Sequence, residues 1–507
     1  MTVLSFVFRL AVVLSMAKVD PSMTLAEVWP ILQHVWHWLV IAMAVSLVAV
    51  AFGHVLLRHR DARSAAFWAV IICFVPVVGA IFYVLFGINS LQRWGKRYHL
   101  EAEMGKGDVG AACPVNPWEM APELTQMRGL AATLGRISRF GFTVGNRVTS
   151  LRNGDEAMFA MLDAIRAAET SVSLCSYIFE AKGIGAEFVE ELSKAHERGV
   201  EVRVLVDDAG TRYSFPPVTR ILRKRGVFAK RYMPLRFVLR ILTMNLRNHR
   251  KILVVDGKVG FTGGMNIRQG NMLAANPSHP VQDMHFQVEG PVVRQLQRVF
   301  AEDWAFCAKE VLSGEKWYPA LEPVGEVAAI GLPDGPDEDA DVLIRTMLAA
   351  IGAAKEEIQI MTPYFLPNTR LTWALTLASL RGVRVSVITP SKNNIGFVQW
   401  ASHTLYPELL RHGVQMFEAT GHFDHSKFMV VDGAWSLIGS TNWDSRSLHL
   451  NYEFNLACFD DMLARDLGAR FQESLECSVR ITQKMLDEAP VLVRLRNGLA
   501  RLFIPFL

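Results

Sequence analysis

The sequence predicts a duplicated α/β fold, in which two α/β/α halves are related by a pseudo-twofold axis and preceded by an N-terminal transmembrane helical hairpin. Three observations support this prediction. A 19-residue stretch occurs twice, the helix–strand order around it also occurs twice, and two uncharged runs lie near the N-terminus. The 507 residues suit two or three structural units.

The two uncharged runs predict the membrane hairpin. Trp38–Leu57 and Ala65–Phe86 are each about twenty residues long and are joined by the charged loop RHRDAR. A helix of about 20 apolar residues crosses a hydrocarbon core of about 30 Å. Two buried core helices are the alternative, but a six-residue charged connection is more typical of a transmembrane hairpin. Residues 3–17 are short and interrupted by Arg9, so whether they insert is left open.

The remainder of the chain repeats one order of elements: helix, strand, helix, strand. The first half reads MFAMLDAIRAAE, SVSLCSYIF, GAEFVEELSKAHERG and EVRVLVDD, and the second reads MLAAIGAAKEE, IQIMTPYFLP, LTWALTLASLRG and VRVSVITP. We align SYIF with PYFL, and ERGVEVRVLV with LRGVRVSVIT, which indicates an internal duplication of an α/β unit. The predicted parts are an N-terminal segment (1–34), the hairpin (35–97), a linker (98–145), half 1 (146–325), half 2 (326–490) and an amphipathic C-terminal tail (491–507).

The repeated stretch carries the polar residues on which a function can be argued. The first copy is NHRKILVVDGKVGFTGGMN and the second is DHSKFMVVDGAWSLIGSTN. Each Asp-Gly pair predicts a hairpin turn between two strands. Residues two apart on a strand share a face, so His249 projects with Lys251, and His425 projects with Lys427.

These residue types suit chemistry at a phosphate. The lysines, Asn266, Ser440 and Asn442 offer a cation, amide donors and a hydroxyl to phosphate oxygens. A pseudo-twofold would place one His on each side of a phosphorus atom. One His could then attack while the other protonates the leaving oxygen, which gives in-line transfer through a covalent phospho-histidine.

A metal site is the alternative use of such a polar cluster. The paired lysines would repel a cation, and no close His/Cys cluster is present. None of the six cysteines lies within four residues of another, so there is no CxxC pair. We therefore expect no metal.

Each His also needs a partner that sets its tautomer. Glu453 follows His425 by 28 residues, and Asp283 takes the matching place in the first half. A solvated strand residue is the alternative interpretation of Glu453. Asp256 and Asp432 lie at the predicted turns, so we expect mainly architectural and ion-pairing roles for them.

The paired motifs resemble those of a known superfamily. HRKILVVD with GGMN, and HSKFMVVD with GSTN, look like the paired HKD motifs of the phospholipase D superfamily, over about residues 145–490. Within it, RNHRKILVVDGKVGFTGGMNI, NWDSRSLHLNYEFN and the N-terminal hairpin are similar to the bacterial cardiolipin synthases. Gly264 stands where the second copy has Ser440, in agreement with that pattern, and removes one hydroxyl from the first half.

This resemblance implies a phospholipase D-like fold and a phosphatidyl transfer. One phosphatidylglycerol would donate its phosphatidyl group to a His and release glycerol, and a second would accept the group, giving cardiolipin. The resemblance implies no metal or nucleotide cofactor, and leaves open which His attacks first. The implied catalytic residues are His249, Lys251, Asp256, His425, Lys427 and Asp432.

The resemblance also implies a multi-pass protein of the bacterial inner membrane. Basic residues flank both uncharged runs, so the positive-inside rule does not decide the orientation, and we expect a cytoplasmic catalytic part. Residues 211–251 contain twelve Lys/Arg and no Asp or Glu, and Val491–Leu507 likewise mixes basic with apolar residues. Both suit an anionic bilayer, although amphipathic core helices with a basic outer face are the alternative.

Three rival functions remain at this stage. They are a hydrolytic phospholipase D with water as acceptor, a membrane-tethered nuclease or phosphodiesterase, and an inactive membrane scaffold. The apolar residues between the basic ones favour lipid over nucleic acid, so no nucleic-acid partner is expected, and the paired motifs argue against an inactive protein. The sequence leaves the oligomeric state and any use of phosphatidylethanolamine open.

Overall fold

The computed structural model describes residues 25–58, 62–84, 127–232, 247–336 and 341–504. The chain divides into two compact units, Met1–Ser90 and Leu91–Leu507. Residues 3–17, most of the predicted linker and positions 233–246 of the basic segment lie outside the described residues.

Among the residues of the N-terminal unit that the structure describes, one helix is long and apolar enough to cross a membrane. This helix, α1, is Leu25–Arg58, and its segment Gln33–Leu57 has the required length and composition. At 1.5 Å per residue, 25 residues span roughly 37 Å. Large apolar side chains such as Trp38, Met43 and Val50 are exposed on it. The first predicted span is therefore present as a single helix.

The second predicted span is not one helix, and this part of the prediction is wrong. Its residues form α2 (Ala62–Phe74) and α3 (Pro76–Phe82), with the break at Val75. Proline lacks the N–H of a continuous helix and disfavours helical backbone in the residue before it. At 1.5 Å per residue, helices of this length reach only about 20 and 10 Å.

The chain reverses direction at this break. A Cβ on Gly79 would lie 2.6 Å from the carbonyl oxygen of Ile71, so α3 returns alongside α2. The rings of Trp68 and Tyr83 are 5.5 Å apart, and the Tyr83 hydroxyl lies 2.7 Å from Nδ1 of His54 on α1. The second apolar run is therefore a bent pair of helices held against α1.

The larger unit begins before the predicted start of half 1. The first half contains α4 (Arg128–Ile137), β1 (Thr143–Arg152), α5 (Asn153–Ala167), β2 (Ser171–Ser176), α6 (Ile184–Glu197), β3 (Glu201–Asp207), α7 (Val218–Lys224), β4 (Phe228–Tyr232), β5 (Arg247–Asn248), β6 (Ile252–Val255), β7 (Val259–Gly263), β8 (Val281–Gln282), β9 (Met284–Glu289) and α8 (Val293–Ala308). The helix α4 lies in the predicted linker, where Leu130 and Leu134 join the main hydrophobic core.

The second half repeats this order and adds a C-terminal extension. It contains β10 (Val327–Asp334), α9 (Val342–Ala353), β11 (Glu357–Met361), α10 (Thr369–Leu380), β12 (Arg384–Pro390), α11 (Gly396–Ser402), α12 (Tyr406–Arg411), β13 (Gln415–Ala419), β14 (Phe423–Asp424), β15 (Phe428–Val431), β16 (Trp435–Gly439), α13 (Ser445–His449), β17 (Asn451–Phe459), α14 (Asp461–Glu476), β18 (Ser478–Ile481), α15 (Gln483–Asp487) and α16 (Val491–Arg501).

The strand order confirms the duplication. The main path of the sheet is β18-β13-β12-β11-β15-β16-β17-β10-β1-β9-β7-β6-β2-β3-β4. Outward from the central antiparallel pair β1 and β10, the first half continues β9, β7, β6, β2, β3, β4, and the second continues β17, β16, β15, β11, β12, β13. These are the same positions in the same order, as a pseudo-twofold axis between the halves requires.

Both predicted hairpin turns are present. Asp256 and Gly257 connect β6 to β7, with φ of 52° and 63°, and Asp432 and Gly433 connect β15 to β16, with φ of 50° and 60°. Two consecutive residues with positive φ are typical of the type I′ hairpin turn, for which Asp-Gly is a preferred pair. Each turn reverses the chain, so that the second strand of each repeated stretch pairs antiparallel with the first.

Candidate active site

Each predicted catalytic His is positioned by a strand from the opposite half. The short strand β5 pairs in parallel with β17, and the backbone N–H of His249 donates to the carbonyl of Tyr452 at 2.9 Å. In the same way, β14 pairs with β8, and the N–H of His425 donates to the carbonyl of Gln282 at 2.7 Å. The two copies of the motif are therefore built into one site.

The carboxylates cross over with the strands. Nδ1 of His249 lies 3.0 Å from a Glu453 carboxylate oxygen, and Nδ1 of His425 lies 2.8 Å from Oδ2 of Asp283. The sequence identified both carboxylates as partners of the two histidines, and the structure shows that each serves the His of the other half. A carboxylate that accepts from Nδ1–H holds the tautomer in which Nε2 is the reactive nitrogen.

The two lysines lie beneath the histidines and are buried. Nζ of Lys251 donates to the His249 carbonyl at 2.6 Å, and Nζ of Lys427 donates to the His425 carbonyl. Nζ of Lys427 is also 2.7 Å from Nδ1 of His425. That Nδ1 cannot both accept from the ammonium and donate to Asp283, so we assign its N–H to the carboxylate, where the charges are complementary.

Burial shifts the basic groups toward their neutral forms. It lowers the pKa of Lys251 to about 7 and that of Lys427 to about 8, and it lowers the pKa of both histidines. The ammonium of Lys427 lowers the pKa of Lys251 and of His249 further, so the two halves act on each other. An anionic ligand would favour the protonated forms again.

The two carboxylates are shifted in opposite directions. Burial raises the pKa of Asp283 to about 6, against the opposing effect of Lys427. Burial also acts to raise the pKa of Glu453, but His249, Lys251 and the hydroxyl of Ser440 together hold it below its ordinary value. Glu453 is therefore the more strongly acidic of the two partners.

The three predicted phosphate ligands are all near the motif but are differently engaged. Oγ of Ser440 donates to Glu453 at 2.5 Å, and Nδ2 of Asn442 lies 3.3 Å from Oγ of Ser447. Oδ1 of Asn266 accepts from the N–H of Ile178 at 3.0 Å, which leaves its amide hydrogens as the group to offer a ligand. Phosphate binding by these residues stays a prediction.

Asp256 and Asp432 lie at the other end of the strands from the histidines. Asp256 accepts hydrogen bonds from the backbone N–H groups of residues 169–171. Asp432 accepts from those of residues 355–357. Each carboxylate fixes its hairpin turn to the start of the neighbouring strand, β2 or β11, and so acts on the site through the strand that carries the Lys.

Two tyrosines were missed in the sequence. The Tyr177 ring is 5.0 Å from the His249 ring and 5.6 Å from Nζ of Lys251, and the Tyr364 ring is 6.1 Å from the His425 ring. Both tyrosines lie within the repeated segments SYIF and PYFL, but the predicted alignment of these segments is displaced by one residue. The structure matches SYIF with TPYF, because Phe179 and Phe365 make equivalent bridges, so the two tyrosines occupy neighbouring and not identical positions.

Buried and partly buried polar residues support each motif from behind, and these were also missed in the sequence. In the first half, Asp303 on α8 accepts from Asn248 and from Arg250, both at 2.7 Å. In the second half, Arg470 on α14 donates to Asp424 at 2.5 Å. In the sequence, only their position beside or opposite the motif could have indicated them.

Among the residues that the structure describes, no group of three or more His, Cys, Asp or Glu is arranged to hold a metal ion.

Two His-Lys pairs, each His held by a carboxylate from the opposite half of a duplicated α/β fold, define a phospholipase D-like phosphodiester-transfer enzyme. Phosphatidylserine synthase from Haemophilus influenzae shares the fold, with a TM-score of 0.55, 13% identity, and coverage of 71% of this chain and 95% of that structure. The family described as "Cardiolipin synthase, PLD-like domain" matches residues 161–304 and 347–475. The chain belongs to this family, and by that membership it is a phosphatidyltransferase.

Relatives in this family match nearly end to end. Cardiolipin synthase from Oceanobacillus iheyensis is 29% identical over 91% of this chain and 97% of its own length. Cardiolipin synthase 2 from Staphylococcus epidermidis is 30% identical over 92% and 97%, and cardiolipin synthase from Geobacillus kaustophilus is 31% identical over 92% and 93%. A second family, "Phospholipase_D-nuclease N-terminal", matches residues 46–87. The apolar α1 and this membership indicate association with a membrane.

Proposed function

We propose that the protein transfers a phosphatidyl group from one phosphatidylglycerol to another and so forms cardiolipin and glycerol. The observation that carries this proposal is the crossed pairing of His249 with Glu453 and of His425 with Asp283. It gives one site two imidazoles with Nε2 as the reactive nitrogen, which a two-step transfer needs. The cardiolipin synthases to which the chain is similar supply the substrate class.

The first step forms a covalent intermediate. Nε2 of one His attacks the phosphorus of phosphatidylglycerol, and the bond from phosphorus to the glycerol oxygen breaks. The other His, protonated at Nε2, gives its proton to that oxygen, so glycerol leaves as a neutral molecule. The ammonium groups of Lys251 and Lys427 stabilise the charge on the non-bridging oxygens as the reaction proceeds.

The second step reverses these roles. The now neutral His takes a proton from a hydroxyl of a second phosphatidylglycerol, whose oxygen attacks the phosphorus and displaces the first His. The proton is returned to the site, and both imidazoles regain their starting states. The reaction is an exchange of one alcohol for another, so its balance requires no nucleotide or metal. Asn266 offers its amide hydrogens to the same phosphate.

The test is to incubate the full-length protein with phosphatidylglycerol vesicles labelled in the glycerol headgroup, without added metal, and to resolve the products. We expect cardiolipin and free glycerol. His249→Ala and His425→Ala should each lower the rate by at least about 10³-fold, because each removes a nucleophile or a proton carrier. His412→Ala is the matched control, since His412 lies outside the site and its Nδ1–H donates to the carbonyl oxygen of Glu408 within its own helix turn, at 2.8 Å.

Other products would change the proposal in defined ways. Phosphatidic acid with glycerol, and no cardiolipin, would mean that water is the acceptor and that the protein is a hydrolytic phospholipase D. Activity that survives in either His variant would contradict the two-histidine mechanism. Cardiolipin formed only when phosphatidylethanolamine is added would replace one of the two proposed substrates.

We also propose that the membrane is the bacterial inner membrane, that α1 crosses it, and that the larger unit is cytoplasmic. The bent pair α2 and α3 would enter the same bilayer without crossing it. Protease added to intact spheroplasts should leave the larger unit uncut, whereas lysed spheroplasts should lose it. Cleavage of the larger unit in intact spheroplasts would reverse the orientation.

A further inference from the structure

The C-terminal helix α16 turns its apolar face away from the protein. Leu492, Leu495 and Leu499 are 80%, 60% and 63% exposed, and Leu502 just beyond the helix is also exposed. The residues of α16 that are buried are Asn497 and Ala500. An amphipathic helix on a globular protein ordinarily turns its apolar stripe toward the core. Here the small inner face holds the helix in place, and the leucines lie outside.

The basic residues of α16 border the leucine stripe on both sides. At about 100° per residue, the four leucines fall within an arc of roughly 80° on the helix surface. Arg494 and Arg501 lie on one side of that arc and Arg496 lies on the other. The segment from Val491 to the end of the chain contains no Asp or Glu. This arrangement is typical of a helix that lies in the plane of an anionic bilayer, with Arg494 and Arg501 directed to the headgroups, whereas the Arg496 guanidinium packs against Trp400.

The inner face of α16 is packed beside the active site. The Arg496 guanidinium lies 4.3 Å from the Trp400 ring on α11, and the rings of Phe397 and Phe503 are 5.4 Å apart. Ala500 joins a small core with Leu366, Val398 and Ala401, against which Tyr364 packs. Because Tyr364 also contacts His425, a single side chain separates this core from the catalytic His.

The first half presents an exposed aromatic loop at the corresponding place. The segment after β3 corresponds to the one after β12 that contains α11, and in it Phe215 is 95% exposed and Tyr213 is also exposed. A Cβ on Gly210 would clash with the carbonyl oxygen of Tyr177, and the N–H of Ala181 donates to Oγ of Ser214 at 2.8 Å, so this loop packs against the segment that carries Tyr177. Exposed apolar groups therefore border the site from both halves.

We propose that the leucine stripe of α16, together with Tyr213 and Phe215, forms a membrane-contact surface that rests on an anionic phospholipid bilayer and opens the active site toward the lipid headgroups. A bilayer fits better than a second protein chain for two reasons. The stripe is purely aliphatic and is bordered by arginines without a matching acidic residue, and it adjoins the site whose proposed substrate is an anionic lipid. The inference rests on the proposed function for that second reason.

The first test asks what the stripe touches and needs no turnover. The photoreactive residue p-benzoylphenylalanine is placed at position 495 of the full-length protein, in vesicles of phosphatidylcholine and labelled phosphatidylglycerol. The control places it at position 462, because Met462 is 73% exposed and lies beyond the end of β17 remote from Glu453. We expect at least tenfold more lipid adduct at 495 than at 462. Equal labelling, or a protein–protein adduct at 495, would overturn the proposal.

The second test separates membrane contact from the chemistry. The variant Leu492→Ser/Leu495→Ser/Leu499→Ser leaves α1 intact, so the protein stays with the vesicles. We expect kcat/KM to fall at least tenfold on phosphatidylglycerol vesicles and to stay within twofold on a short-chain phosphatidylglycerol below its micelle concentration, with Met462→Ser unchanged on both. An equal loss on both substrates, or no loss on vesicles, would overturn the proposal, because the stripe would then not act through contact with the bilayer. Lipid adducts together with phosphatidic acid as the product would keep the surface and reject the transfer reaction.

Discussion

The two halves of the molecule share one strand order but support their histidines differently. His249 is held by Glu453, which also accepts from Ser440 and, at 3.2 Å, from Asn451. His425 is held by Asp283, whose side chain is one methylene group shorter than that of Glu453, and Gly264 stands in the place of the serine. A Cβ on Gly264 would clash with the Asp283 carboxylate. A Glu beside a Ser in one half, and an Asp beside a Gly in the other, thus both place a carboxylate against Nδ1 of a His.

This difference separates the acidities of the two partners. Three groups hold the pKa of Glu453 below its ordinary value, whereas burial raises that of Asp283 to about 6. The halves also differ behind the motif, where the first has a buried carboxylate on α8 and the second has a guanidinium on α14. A duplicated fold has therefore kept its topology while its supporting charges diverged.

The largest effect should come from the buried ion pair behind His249. We expect Asp303→Leu to lower the free energy of unfolding by about 3–5 kcal/mol, because it leaves the Arg250 guanidinium buried without its carboxylate. Arg470→Met, its counterpart in the second half, should cost less, about 1–3 kcal/mol, because Arg470 is more exposed and Asp424 keeps the Ser426 N–H at 2.9 Å. Denaturant unfolding of both variants measures the difference, and equal losses would contradict it.

The next largest effect should come from exchanging Gly and Ser at the positions beside the two carboxylates. Gly264→Ser should lower kcat/KM by about 10²-fold, because the new side chain displaces Asp283 from His425. Because Glu453 keeps His249 and Asn451, we expect Ser440→Gly to cost about 1.5 kcal/mol, the low end for a hydrogen bond to a charged group, which corresponds to roughly tenfold. Steady-state kinetics on phosphatidylglycerol measures both. A larger loss in Ser440→Gly than in Gly264→Ser would show that the serine does more than hold Glu453.

Local patterns in the sequence predicted most of this architecture. The period of the strands, the Asp-Gly turns and the repeat predicted the duplicated fold and placed His, Lys and both carboxylates at one site. The pairing of the carboxylates was out of reach, because Glu453 meets His249 across 204 residues and Asp283 meets His425 across 142. Such contacts depend on which short strands pair between the halves, and no local pattern encodes that choice.

Two other errors have simple physical causes. The mean hydropathy of Ala65–Phe86 is high along the whole run, because a window average is insensitive to the single residue Pro76. That proline nevertheless ends one helix and begins another. The alignment that displaced SYIF by one residue matched the tyrosines by identity, whereas the backbone bridges at Phe179 and Phe365 determine the true register. The outward direction of α16 could not be read either, because an amphipathic pattern does not say which face the protein covers.

The alkaline side of the pH profile should report the buried lysines. In the free enzyme, burial lowers the pKa of Lys251 to about 7 and that of Lys427 to about 8, so their charges are lost as the pH rises through these values. We expect kcat/KM to fall several-fold between about pH 7 and 9. The limb for kcat should lie at higher pH, since a bound phosphodiester favours the ammonium forms. Coincident limbs would mean that the lysines do not face the phosphate.

The acid side should distinguish the two halves. Asp283 has a pKa raised to about 6, so it becomes protonated as the pH falls through that value and no longer accepts from His425 as an anion. Glu453 has a lowered pKa and stays ionised over the same range. We therefore expect kcat/KM to decrease several-fold from pH 7 to about pH 5, and expect Asp283→Asn to be slower at pH 7 but flatter over this interval. Glu453→Gln should be slower while retaining the acid limb, because Asp283 still titrates in it. The opposite result, in which Glu453→Gln loses the acid limb and Asp283→Asn keeps it, would mean that Glu453 is the carboxylate that titrates. His249, and not His425, would then be the histidine whose partner loses its charge as the pH falls.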